Sequence, residues 1–208
     1  MEARLQIAED TMKNLIAVGM YGDGTAAGGK AIDGLDAAVP VTATSGTYGG
    51  IDCATWTFWQ SKSTTTAAGT TANIQGFMNT MWASLVRGAD RPDLIIMDPI
   101  NWGFYMGSLQ AIQRFADVST ADLGFPSVKF MGTDCILDGG IGGAATTKTT
   151  YFLNTKYLFF RPHAQRNFVS LSPDRRYAVN QDAEVAILAW AGNMTCSGKQ
   201  FQGRLITG

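Results

Sequence analysis

The chain has 208 residues and a formal net charge of −1, with 46% hydrophobic and 16% charged side chains. That length fits one domain or two closely joined lobes. The near-neutral balance excludes the basic surface of a strong nucleic-acid binder, and no run approaches the roughly 18 apolar residues of a membrane span. Sparse charge beside 5 Trp, 11 Phe and 9 Met favours extensive self-association, against the alternative of a neutral globular domain with a large core.

From the N-terminus, residues 2–21 read as one amphipathic helix, with Leu5, Ala8, Met12, Leu15, Ile16 and Gly19 recurring at 3–4 spacing and Glu2, Arg4, Glu9, Asp10 and Lys13 covering the rest. With its alternating charges, MEARLQIAEDTMK is not expected to be a signal peptide. YGDGTAAGGK stops the helix with four glycines. GLDAAVPV reads as a short extended segment that Pro40 confines to an edge. SGTYGGIDCATWTFW reads as a glycine-pair turn flanked by strand, and SKSTTTAAGTTA as a Ser/Thr-rich loop.

The middle is the most regular stretch. Ile74, Phe77, Met78, Met81, Trp82, Leu85 and Val86 predict a helix, with Asn73 at its N-cap and Gly88 past its end. DLIIMD reads as a buried strand, and Trp102, Tyr105, Met106, Leu109 and Ile112 predict a second helix. VKFMGTDCILD, TTYFLNTKYLFFRP and DAEVAILAWAGNMTCS follow as strands, the last two long, and FQGRLI closes the chain as another. Without regular β-α-β alternation, the class expected is α+β.

Motifs that carry chemistry mostly fail on context. Gly24–Lys30 satisfies G-x-x-x-x-G-K, but a phosphate loop needs a strand before it and a helix after it, and here a helix precedes and Ala31 replaces the metal-binding hydroxyl. Gly140–Ala145 resembles a dinucleotide fingerprint but leads into the β-prone TTKTTYFL. His163 is the single histidine and lies in a polar turn, RPHAQRN, so no catalytic triad or zinc site is expected. Cys53, Cys135 and Cys196 are widely separated and are expected as buried free thiols. Asp174, Arg175, Arg176, Asp182 and Glu184 cluster near the C-terminus; Arg–carboxylate forks there would set register between subunits, against the alternative of a solvated turn.

Longer stretches carry a resemblance. GLDAAVP, YGGIDCATWTFW, DLIIMD followed by NWGFYMGSLQAIQRF, ADLGFPSVKFMGTDCILDGGI, TTYFLNTKYLFFRPH and SPDRRYAVNQDAEVAILAWAGNMTCSGKQFQGRLI together resemble the major capsid proteins of tailed bacteriophages, over nearly the whole chain. The resemblance implies the Hong Kong 97-type phage capsid fold. It implies a peripheral domain from 1–70 and 172–208, holding the long spine helix and returning strands, and an axial α/β domain from 71–171. It implies a structural protein, not an enzyme, without cofactor or metal, that assembles in the host cytoplasm into the icosahedral head around double-stranded DNA. Its partners would be further copies in pentamers and hexamers, with scaffolding, portal and decoration proteins beside them, no membrane, and only weak contact with the packaged DNA. A cargo-enclosing shell protein of the same fold, and a nucleotide-binding enzyme using Gly24–Lys30, are the alternatives. Family members carry an N-terminal arm and an extended loop ahead of the spine helix. The chain opens directly on that helix, so a truncated body is expected, with impaired assembly and no lysine cross-link from that loop.

Overall fold

The computed structural model describes residues 2–113, 128–139, 143–171, 176–177 and 184–208. The predicted first helix forms as α1 (Glu2–Gly19). The glycine run that ends it makes one loose turn, α2 (Ala26–Gly29), with Ala27 and Gly28 in left-handed conformation. The segment GLDAAVPV departs from its extended expectation. Leu35–Ala38 makes a single helical turn, α3, in which Val39 N donates to Leu35 O at 2.7 Å. Leu and Ala are good helix formers, and Pro40 forces its predecessor out of the helix, so the turn stops at once.

The hairpin of β1 (Thr47–Tyr48) and β2 (Ile51–Asp52) turns at Gly49 and Gly50, whose φ angles of +61° and +80° suit a tight primed turn. The aromatic run after it forms a 3-10 turn at Thr57–Trp59 instead of continuing as strand. The Ser/Thr-rich stretch expected as a loop contains β3 (Lys62–Thr66), paired in parallel with β14 (Gly203–Thr207). Its threonines are β-branched and fit an edge strand whose outer side stays wet.

α4 (Ile74–Leu85), β4 (Leu94–Met97) and α5 (Pro99–Gln113) match the predicted helix, strand and helix. Asn73 caps α4 by position only: its side chain accepts from Thr70 N at 2.7 Å, holding the preceding turn. β5 (Val128–Phe130) and β6 (Thr133–Leu137) form a hairpin. The two long predicted strands are broken. β7 (Thr149–Leu153) and β8 (Leu158–Pro162) are separated by a 3-10 turn at Thr155–Tyr157, where Asn154 accepts from Lys156 N at 3.2 Å. Past β9 (Val169–Ser170) and β10 (Arg176–Tyr177), the other splits into β11 (Glu184–Val185), β12 (Leu188–Ala189) and β13 (Gly192–Cys196).

Among the described residues, six strands form one mixed sheet in the order β3-β14-β7-β4-β6-β5. Alternation along each strand sends one set of side chains to each face. Ile95, Met97, Phe152, Leu205 and Cys135 pack under α4 and α5 with Met78, Met81, Leu85 and Tyr105. Tyr151 and Leu153, with Leu94 and Ile96, face the opposite way onto Ile16, the 32–39 segment and the β8–β13 ribbon. The result is three layers, mixed in α and β, with an apolar core on each side of the sheet. The sheet takes β3 from the 1–70 stretch and β14 from the 172–208 stretch.

Candidate assembly surfaces

A row of apolar side chains on α1 finds no cover. Leu5 is 51% exposed, Ile7 66%, Leu15 67% and Val18 52%, while Ile16 packs on the core behind the sheet. At roughly 100° per residue, Leu5 and Met12 fall beside Ile16, while Ile7 and Val18 lie roughly 60–80° beyond Leu15 with Arg4 and Thr11 between them, so apolar residues recur over about half the helix without filling it. The polar arc carries Glu9 and Asp10, both paired with Lys13. The stripe through Leu5 and Leu15 was legible in the sequence; Ile7 and Val18 widen it.

Where α1 ends, an apolar groove of about 330 Å³ opens between Met20, Leu94, Ile96, Leu153, Phe159 and Phe160. Phe159 and Phe160 are adjacent on the two-stranded β8–β13 ribbon, both border the groove, and both remain exposed. Phe160 stacks on Trp190 with ring centroids 5.8 Å apart, and the Arg161 guanidinium lies over the Phe159 ring at 5.4 Å. Both rings are thereby held in place. Consecutive phenylalanines in a strand were the available sequence signal. At the groove's mouth Tyr21 donates its hydroxyl to Asp138. Burial and that carboxylate push the tyrosine's ionisation well above its ordinary range. A second exposed aromatic pair, Trp56 and Phe58, sits in the loop beyond β2 with centroids 5.8 Å apart.

Contiguous exposed apolar surface of this kind marks an interaction face. Polar links fix its position. Arg204 on β14 is buried and meets Asp36 at 2.6 Å, and the Tyr151 hydroxyl donates to the same carboxylate oxygen at 2.9 Å. Asn193 on β13 donates to Asp33 at 2.8 Å and accepts from Asp33 N at 2.8 Å. These contacts pin the 33–39 segment, and with it the end of α1, to the sheet and the ribbon.

Of the residues singled out as candidate intersubunit contacts, Asp174, Arg175 and Asp182 lie outside the described residues. Arg176 and Glu184 sit on the paired strands β10 and β11, where Arg176 is opposite Val185 and Glu184 opposite Tyr177. Gly24–Lys30 is no phosphate cradle. α1 precedes it, and Asp23 accepts from Thr25 N at 3.0 Å and Thr25 Oγ1 at 2.8 Å, so a carboxylate already occupies an amide a phosphate would need. Gly140 to Gly142 of the second glycine motif lie outside the described residues. His163 is exposed, and its Nδ1 accepts from Gln165 N at 3.2 Å. All three cysteines are free and buried. Among the described residues, no three metal-ligating side chains gather, and no helix is long and apolar enough to cross a membrane.

No family model and no curated protein matches the chain. Among solved structures it is similar to a chain of the cyanophage A-1(L) capsid asymmetric unit, with a TM-score of 0.69 over 99% of this chain and 69% of that one. Sequence identity is 17%, so the likeness is one of fold.

Proposed function

We propose that the chain is the structural body of a phage major capsid protein of the Hong Kong 97 type, which self-assembles into the icosahedral head around double-stranded DNA. The observation that carries this reading is the fold shared along almost its whole length with a cyanophage capsid chain. The uncovered apolar arc of α1 and the Phe159–Phe160 groove support it, because a shell is held by many modest contacts repeated under symmetry. A net charge of −1 suits an inner wall along which DNA moves without sticking.

In this reading α1 is the spine helix of the peripheral part. The axial part is built on α4, α5 and the six-stranded sheet, so it includes β3 and β14 from the flanking stretches. Copies of the chain in pentamers and hexamers are the main partners; scaffolding, portal and decoration proteins act in the same assembly, begun in the host cytoplasm and ending in the virion. The role is structural and not enzymatic.

The test is assembly. Sedimentation and electron microscopy of the purified protein, alone and co-expressed with the scaffold from its own genome, should show capsomers or closed shells. A chain that stays monomeric at high concentration in both settings, and also once the family's N-terminal arm and extended loop are joined ahead of α1, refutes the reading. Particles that hold protein cargo and exclude nucleic acid would reassign it to a cargo-enclosing shell. Saturable binding of an ATP analogue would revive an enzymatic role.

A further inference from the structure

We propose that Lys199 and Cys53 form a redox-gated covalent bridge, with one oxygen atom inserted between the lysine nitrogen and the cysteine sulfur. Lys199 Nζ donates to Cys53 Sγ at 3.2 Å, joining residues 146 apart in the sequence. Both are buried, Lys199 at 1% and Cys53 at 0% exposure. Burying an amine this deeply is costly without a partner. Among the described residues no carboxylate lies within ion-pair distance of it; its neighbours include the thiol and the Tyr48 ring, whose centroid is 5.1 Å from Nζ, and Cys196 shares its cavity wall.

Neither end is free to wander. Cys53 N donates to Gly46 O at 3.0 Å, and Gln60 Nε2 donates to Cys53 O at 2.7 Å. The carbonyl of Lys199 accepts from Gln202 N at 2.9 Å, and the neighbouring Phe201 is stacked on Tyr157 at 4.7 Å. Two reactive atoms held in contact by rigid surroundings react as if at very high concentration. Cys135 offers a contrast inside the same protein: it is packed in the apolar core, with the Thr133 carbonyl 4.0 Å from its Sγ.

The oxidant is dioxygen. A cavity of about 420 Å³ whose wall includes Lys199, Tyr48, Gly46 and Cys196 brings it to the lysine end of the pair; Cys53 is not part of that wall and meets Lys199 Nζ at 3.2 Å. One N–H, one S–H and the O–O bond are broken. One N–O bond, one O–S bond and the two O–H bonds of water are formed. Amine and thiol, or ammonium and thiolate, carry the same atoms, so either pair gives the bridge plus one water. Dioxygen is fully reduced, half into the bridge and half into water. In a reducing cytosol the thiol stays free; once the protein meets an oxidising exterior, the bridge ties the loop after β2 to the turn that feeds β14. The inference stands on the Lys–Cys geometry and does not depend on shell assembly.

The experiment is mass spectrometry of the whole protein, kept reduced or exposed to oxygen-saturated buffer, then denatured and alkylated. The oxygen-exposed sample should gain one oxygen, lose two hydrogens and take up two alkyl groups where the reduced one takes three; dithiothreitol should restore the third. Peptide mapping should place the link at 53 and 199. Cys53→Ser and Lys199→Met should each abolish it, and circular dichroism shows which of them folds natively; the wild-type mass result stands without either. Three alkyl groups after oxygen exposure overturn the proposal. So do a disulfide, a direct S–N bond, a link through Cys196, or oxygen gained at Cys53 that persists in K199M.

Discussion

Replacing Asp36 by alanine should cost far more than a typical surface change. Arg204 is 3% exposed at its side chain, so its guanidinium has almost no access to water, whereas Asp36 is 32% exposed. Without the carboxylate, the guanidinium keeps the Val39 carbonyl at 3.5 Å and the Tyr151 ring at 5.3 Å, its Nε has no partner, and the Tyr151 hydroxyl is left with the Thr146 hydroxyl at 3.4 Å. Stranding one member of a fully buried pair costs about 3–5 kcal/mol. The partial exposure of Asp36 lets water relax the site, so the expected loss is about 2–3 kcal/mol. Urea unfolding monitored by tryptophan fluorescence measures it as a fall in midpoint at constant slope. Asp36→Asn, which keeps an acceptor for both partners, should lose about half as much. The double change Asp36→Leu with Arg204→Met should recover most of the loss, because neither partner is then left charged and alone. A loss under about 1 kcal/mol for Asp36→Ala would refute the reasoning, since it would place the pair in the class of exposed ion pairs.

Three further outcomes follow from the same structure. Ile7→Glu with Leu15→Glu should abolish assembly while changing monomer stability by less than about 1 kcal/mol, because both side chains are exposed in the single chain; sedimentation and thermal melting read the two effects separately. Burial pushes the Cys135 thiol and the Tyr48, Tyr105 and Tyr151 hydroxyls up to about 12, so the folded state holds protons that the unfolded chain releases from about pH 9 to 10; stability should be intact below pH 9 and fall as pH rises towards 12, in denaturant titrations at stepped pH. Gly34→Ala should destabilise by about 1–3 kcal/mol, because a methyl there runs into the Met20 carbonyl, which already accepts from Leu35 N at 2.7 Å; unchanged melting would show that the α1–α3 junction gives way freely.

Elements whose own periodicity matched their burial were legible in the sequence. α4 shows this best: Ile74, Met78, Met81 and Leu85 repeat at helical spacing and are the residues it buries. β4 read correctly because a four-residue apolar run between Pro92 and Pro99 has no room to be a helix. What was not legible depended on distant partners. Lys62–Thr66 looks like a loop until β14, 141 positions on in register, supplies the hydrogen bonds that make it a strand. Tyr151 and Phe152 are both buried because β7 lies between two layers, and a single sequence does not reveal which strand is central. The interaction surface was half legible: the α1 stripe was plain, but that it stays uncovered in the folded chain is a property of packing alone.

That α1 stays uncovered bears on what holds it. An isolated helix of this length is marginal in water. α1 is anchored to the rest of the chain near its end, through Ile16 on the core and Tyr21 on Asp138, while Leu5, Ile7 and the turns around them meet solvent. Its apolar arc is too broad for a helix meant to be solvated on all sides. Leucine, isoleucine and valine recur on that arc, broken by Arg4 and Thr11, and Glu9, Asp10 and Lys13 group on the other side, which is the pattern a helix completed by a neighbouring surface would show. The two cores on either side of the sheet hold the fold together; the helix face and the Phe159–Phe160 groove are apolar surface that it leaves uncovered.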